Sequence, residues 1–252
     1  MQTTSRQLNR TGKPALACVT LPGHAPTVLF LTGFRSDMTG GKALELERHC
    51  AARGQAFCRF DYRGHGASGG RFADGSIGDW LEDALAILDQ VVDGPVVLVG
   101  SSMGGWIMLL VALARPRRVR GLVGLAAAPD FTEDLIRPAL SSAQAAQLAR
   151  EGMLLAPSAY GEPTPITRHL LEEGAAHLVL RAPLPIKVPV HLLHGQADPD
   201  VPWQTSLRLA AVLESAAVTV ELIKDGEHRL SRPEDLRRMT AALDRVLEQA
   251  DG

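Results

Sequence analysis

The chain has 252 residues, 46% of them apolar and 4% aromatic, with 26 Lys and Arg against 28 Asp and Glu and a formal net charge of −2; that balance gives no electrostatic or stacking case for nucleic acid or an anionic membrane. Cys18, Cys50 and Cys58 are odd in number and lack metal-ligand spacing, which argues against a disulfide framework or a metal site and for buried, reduced thiols. No apolar signal core opens the sequence and no apolar run approaches the roughly 20 residues that span a bilayer, so a cytoplasmic protein with a well-buried core is expected.

The first twenty residues predict one or two antiparallel edge strands. After them, short apolar runs alternate with helical patterns. "TVLFLTG" (27–33) reads as a buried strand and "GKALELERHCAARG" (41–54) as a helix. "AFCRFD" (56–61) and "PVVLVG" (95–100) read as strands around a helix at 77–92, and a further helix at 105–116 leads to the strand "VRGLVGLAAA" (119–128). Residues 131–186 break this rhythm: they are helical in pattern, rich in proline and without a convincing strand. The alternation resumes with "VPVHLLHG" (188–195), a helix at 203–216, "AVTVELIKDG" (217–226) and a helix at 233–250. Such alternation predicts the α/β class: a mostly parallel twisted sheet with helices on both faces. The expected organisation is a core of residues 1–130 and 187–252, with residues 131–186 inserted as a helical lid over the carboxyl edge of the sheet, where ligands of open parallel sheets bind.

The junction "VGSSMGGW" (99–106) places two serines between glycines where a strand turns into a helix. Gly100, Ser102 and Gly104 fit the nucleophile-elbow spacing, in which the serine takes a strained conformation and the positions two before and two after it must lack side chains. Ser101 fails the same spacing, since its partner positions would be Val99 and Met103. The pattern alone also describes a plain tight turn; a serine hydroxyl needs a base and an orienting acid to become a nucleophile. Both follow in chain order at later strand ends. Asp198 and Asp200 both qualify as the acid in the turn after 188–195, and His228 lies on the loop after the last strand, where the base belongs. His194 sits at a strand end and suits a structural role, fixing the Asp198 turn. His65 lies on the earlier "RGHG" loop, and His169 and His177 belong to the insertion. An oxyanion hole is expected from the backbone N–H of Met103 and of Phe34, with Gly33 allowing close approach.

In order along the chain, "GSSMGG", "DYRGHGASGG", "HGQADPDVP" and a late Glu-His resemble the α/β-hydrolase fold. "LTGFRSDMTGGKALELE", "VGSSMGGWIMLL" and "LLHGQADPDVPWQTSL" are similar to the palmitoyl-protein thioesterase and acyl-glucuronide esterase branch of that superfamily, from about Thr27 onward. In that branch the acid is the first aspartate of the turn, so the resemblance implies Ser102, Asp198 and His228 as the triad. It implies a serine hydrolase cleaving ester or thioester bonds through an acyl-enzyme, without metal or organic cofactor. A rate governed by a group near pH 6 to 7 follows from the usual range of a histidine base. The absence of a recognisable transit segment favours a bacterial relative. Amide or carbon–carbon bond hydrolysis, or a non-catalytic binding protein on the same scaffold, are the alternatives; a dehalogenase would need an aspartate in place of Ser102. Leu154, Leu155, Leu170, Leu171 and Leu178 are candidates for an apolar acyl site or for the lid's own core. Arg35 and Arg181 are candidate contacts for a substrate carboxylate. The partner expected is a small-molecule or acylated-protein substrate, with no nucleic acid and no membrane span.

Overall fold

Eight strands form one sheet in the order β1-β2-β4-β3-β5-β6-β9-β10 in the computed structural model, which describes residues 2–157 and 162–250. The strands are β1 (Thr4–Arg10), β2 (Lys13–Leu21), β3 (His24–Leu31), β4 (Gln55–Phe60), β5 (Val96–Ser101), β6 (Val119–Leu125), β9 (Val190–Gly195) and β10 (Val218–Ile223). β1 and β2 are the expected antiparallel edge: β1 pairs β2 and β2 pairs β4 antiparallel, while every pair from β4 to β10 is parallel. Parallel neighbours need crossovers. These are supplied by the helices α1 (Gly41–Arg53), α2 (Ile77–Gln90), α3 (Met103–Ala114) and α7 (Gln204–Val212) and by the long segment between β6 and β9, while α8 (Pro233–Ala250) follows the last strand and packs back on the sheet.

Strand alternation divides the core in two. Val28, Phe30, Val97, Val99, Val123 and Leu193 meet α1 and α8 through Leu46, Cys50, Leu243 and Val246. Leu29, Leu31, Leu98, Leu122 and Leu192 face the other way, against α2, α3 and α7 through Trp80, Ile87, Trp106 and Leu209. All six residues of β5 and all six of β9 are buried, which is why they read as continuous apolar runs rather than alternating ones. α3 is apolar on nearly every side because it is covered by the sheet on one side and by α2 and the insertion on the other. Each fully buried aliphatic side chain there contributes about 1.5–3 kcal/mol relative to exposure.

The segment between β6 and β9 departs from the purely helical expectation. A π-turn (Thr132–Ile136) runs into α4 (Arg137–Ala139), followed by α5 (Ser142–Glu151), β7 (Met153–Ala156), β8 (Thr164–Thr167) and α6 (Arg168–Gly174). β7 and β8 form an antiparallel ribbon from Met153 opposite Thr167 to Ala156 opposite Thr164. At four residues each, and with Pro165 inside β8, they are too short and too irregular to show a period of two. Residues 158–161 of the expected insertion lie outside the described residues. Leu148, Leu154, Ile166 and Leu171 give this segment its own small core. Asp130 ties it to the sheet: its buried carboxylate accepts the N–H groups of Val179 (2.8 Å) and Leu180 (2.9 Å), and Trp106 Nε1 donates to the His177 carbonyl at 3.0 Å.

Candidate active site

β5 ends at Ser101 and α3 begins at Met103, so the chain reverses on a single residue. Ser102 has φ 54° and ψ −120°, a left-handed conformation unfavourable for any residue with a Cβ. Its neighbours enforce it. Ser102 N–H donates to the Leu125 carbonyl at 2.9 Å, and its own carbonyl accepts Gly105 N–H (2.9 Å) and Ala128 N–H (3.0 Å). A Cβ on Gly100 would lie 2.4 Å from the Gly104 carbonyl oxygen, and one on Gly104 would lie 2.1 Å from that of Leu31. The two glycines are therefore demanded by backbone contact rather than by flexibility.

The loops after β9 and β10 are pressed together in the same way. A Cβ on Gly195 would fall 2.0 Å from the Gly226 carbonyl oxygen, and Ala197 N–H donates to that oxygen at 3.0 Å. This contact carries Asp198 to His228. Their Oδ2 and Nδ1 are 2.8 Å apart, and His228 Nε2 lies 3.0 Å from Ser102 Oγ. With Asp198 as acceptor, Nδ1 holds the ring proton and Nε2 is free to accept the serine proton. Asp198 Oδ1 accepts the N–H groups of Asp200 and Val201, each at 2.8 Å. His194 Nε2 lies 3.2 Å from Asp198 Oδ2 and 3.0 Å from the Val201 carbonyl, while its Nδ1 meets Ser206 Oγ at 2.7 Å; His194 braces the turn. Burial favours a neutral Asp198, but the hydrogen bonds from His194 and His228 outweigh it and hold the carboxyl well below the usual carboxylate range. Asp200 thus supplies a backbone N–H to Asp198. Asp198, Asp200 and His228 offer ligand atoms within 4.8 Å of one another, but a metal there would compete with the bond between Asp198 and His228.

The N–H groups of Phe34 and Met103 have no acceptor among the described residues, and both residues line the cleft that contains Ser102 and His228. Two unpaired donors beside one hydroxyl suit an oxygen that acquires charge. The cleft has a volume of about 530 Å³. Phe34, Ala128, Phe131, Leu135, Ile136 and Ile166 form its apolar wall, and Arg35, Lys42, Asp200 and Arg229 its polar one. None of the five leucines weighed as an acyl site or as the segment's own core is among these lining residues. Leu154 and Leu171 fill the insertion's core, Leu170 and Leu178 pack on the main core, and Leu155 is exposed.

Arg35 lines the cleft, but its guanidinium donates to the carbonyls of Glu162 (2.8 Å) and Pro163 (2.9 Å) and to Thr164 Oγ1 (3.2 Å). Arg181 is not among the lining residues; it is paired with Asp134 and lies 3.6 Å from Asp130, so it serves the insertion rather than a substrate carboxylate. Sequence reasoning missed Lys42 and Arg229. Lys42 sits in the first turn of α1 and donates to the Arg229 carbonyl, and burial pushes its ammonium down to about 8. Arg229 directly follows the proposed base, and that adjacency was the available signal.

The family described as Hydrolase_4, serine aminopeptidase S33, matches residues 24–169. Palmitoyl-protein thioesterase ABHD10, mitochondrial, of Mus musculus is 39% identical over 244 residues, which cover 96% of this chain and 82% of that protein. The Homo sapiens protein of the same name is 37% identical, covering 96% and 79%. Among solved structures, a hydrolase from Agrobacterium vitis S4 superposes with a TM-score of 0.92 at 43% identity, covering 97% of this chain and 98% of that one. The mouse α/β hydrolase domain-containing protein 10 superposes with 0.90 at 38% identity and the same coverage.

Proposed function

The chain belongs to the Hydrolase_4 family of α/β hydrolases and is an ester or thioester hydrolase, and from that premise we propose that it works through an acyl-enzyme on Ser102. The observation that carries this reading is the unbroken path from Ser102 Oγ through His228 to Asp198, at 3.0 and 2.8 Å, opening on two unpaired amides. His228 Nε2 takes the serine proton as Oγ attacks the acyl carbonyl. Asp198 holds the required tautomer and stabilises the imidazolium. The Phe34 and Met103 amides receive the oxyanion. His228 then protonates the leaving alcohol or thiol, and water repeats the cycle on the acyl-enzyme.

The segment 131–186 is read as a lid. Phe131, Leu135, Ile136 and Ile166 from it line the cleft and suit the apolar chain of an acylated protein or a small acyl ester. The thioesterase relatives support a fatty acyl thioester as substrate class. Those relatives are named as mitochondrial; the buried free thiols Cys18, Cys50 and Cys58 suit a reducing setting such as the cytoplasm. No helix among the described residues is long and apolar enough to cross a membrane.

The test is hydrolysis of matched short- and long-chain acyl thioesters and oxyesters by the native protein and Ser102→Ala. Turnover that exceeds the variant by several orders of magnitude is expected, with labelling of Ser102 by a fluorophosphonate. Equal turnover in the two proteins would refute the acyl-enzyme.

A further inference from the structure

His65 touches none of Ser102, His228 and Asp198, yet its ring reaches the loop that carries one of the two unpaired amides. It is 4% exposed. Tyr62, Phe72 and Trp80 enclose it edge-on, with ring centroids 5.6, 5.1 and 5.3 Å away. Nδ1 lies 3.1 Å from the Arg63 carbonyl. A carbonyl only accepts, so Nδ1 carries the proton and Nε2 presents a lone pair. That lone pair accepts the backbone N–H of Arg35 at 3.3 Å.

Arg35 is where this loop needs support. Its φ is 57°, the left-handed region that disfavours a residue with a Cβ. The bond to His65 restrains the peptide joining Phe34 to Arg35, and Ser36 N–H donating to the Gly33 carbonyl at 3.1 Å closes the turn behind it. Phe72 and Trp80, which enclose His65, also pack on the Phe34 ring at 4.9 and 5.8 Å. One cluster thus grips Phe34 by its ring and Arg35 by its N–H, and the Phe34 amide is left facing the cleft. Only a flat group that donates on one side and accepts on the other meets both backbone partners. Burial pushes the ring down to about 4, so it keeps its lone pair at neutral pH.

We propose that His65 is a positioning residue for hydrolysis: by bridging the Arg63 carbonyl and the Arg35 N–H it holds the Phe34 amide where the oxyanion forms. The inference rests on the acyl-enzyme reading above.

The full chain is assayed on a neutral butyryl thioester as wild type, Ser102→Ala, His65→Met, His65→Gln and His65→Asn. Met removes the acceptor. The Gln amide oxygen reaches the position of Nε2, whereas Asn reaches only that of Nδ1. The expected result is a kcat about 100-fold lower for His65→Met and His65→Asn, as for loss of one oxyanion donor, with KM moved less than about threefold and most of kcat restored in His65→Gln. A residue that merely fills the aromatic cluster would alter thermal stability without this split and without rescue by Gln. Should His65→Met not fold, Gln against Asn makes the same comparison. Equal kcat in those two overturns the inference, as does a folded His65→Met with wild-type kcat. Wild-type turnover no greater than that of Ser102→Ala overturns the acyl-enzyme reading, and this inference with it.

Discussion

Acidification from pH 7.5 to 5 should destabilise this protein through His65 in particular. Its ring is held at about 4 against an ordinary 6.5, because burial among aromatics disfavours the imidazolium. The unfolded chain therefore takes up a proton near pH 6.5 while the folded chain does not until near pH 4. Stability from this group is complete above pH 6.5 and is lost as pH falls towards 4. At pH 5 the loss amounts to about 2 kcal/mol, and the whole gap corresponds to about 3.4 kcal/mol. Asp198 does not contribute in this window: it is held below the usual carboxylate range, so its stabilisation is nearly complete at pH 5 and is lost only as pH falls through about 4 and below. The assay is urea unfolding followed by tryptophan fluorescence at pH 7.5 and 5, for wild type and His65→Gln. The other titrating groups are common to both proteins, so the wild type should lose about 2 kcal/mol more than the variant. An equal loss in both would show that the buried ring is not the group resisting protonation.

Gly104→Ala places a Cβ 2.1 Å from the Leu31 carbonyl oxygen and 2.5 Å from that of Thr32; both are backbone atoms, so the elbow must move, and a fall in stability of about 3 kcal/mol or more with loss of Ser102 labelling is expected from thermal unfolding and a fluorophosphonate probe. Asp198→Asn removes the acceptor that fixes His228 and should lower kcat by about 10³- to 10⁴-fold; because the fold favours the ionised carboxylate, thermal unfolding near neutral pH should also show a lower melting temperature. Arg181→Leu breaks a partly exposed pair with Asp134 and removes the cation beside the buried Asp130 carboxylate, and should cost about 1 kcal/mol or more in denaturant titrations. It should also leave the preference between anionic and neutral substrates where it was.

The arrangement of the proposed triad was legible because each member sits at a strand end beside a glycine with a local physical reason. Gly100 and Gly104 frame Ser102, and Gly195 against Gly226 brings Asp198 to His228. Such contacts act over a few residues and leave a readable spacing. The cleft wall was not legible. Leu154 and Leu171 have the composition of an acyl site, but they close a small cluster with Leu148 and Ile166 while Leu170 packs on the main core, and neither use is marked in the local sequence. The β7 and β8 ribbon hid for a related reason: four-residue strands are defined by each other rather than by their own pattern. The sequence places His65 on the "RGHG" loop and no further, because its link to Arg35 spans 30 positions, a distance no local pattern encodes.

The same loop that carries the Phe34 amide also fastens the segment between β6 and β9. Arg35 gives its N–H to His65 and its guanidinium to Glu162, Pro163 and Thr164, next to Ile166 in the cleft wall. Arg35→Met keeps the backbone bond to His65 and releases only the guanidinium contacts. The wall should loosen, and each acyl methylene that it holds contributes about 0.8 kcal/mol when buried. Long acyl chains should therefore lose more of their kcat/KM than short ones, so the long-to-short ratio falls in a chain-length series of thioesters. A uniform loss at every chain length would instead place the damage at the Phe34 amide, and would mean that the guanidinium, not His65, holds the loop in register.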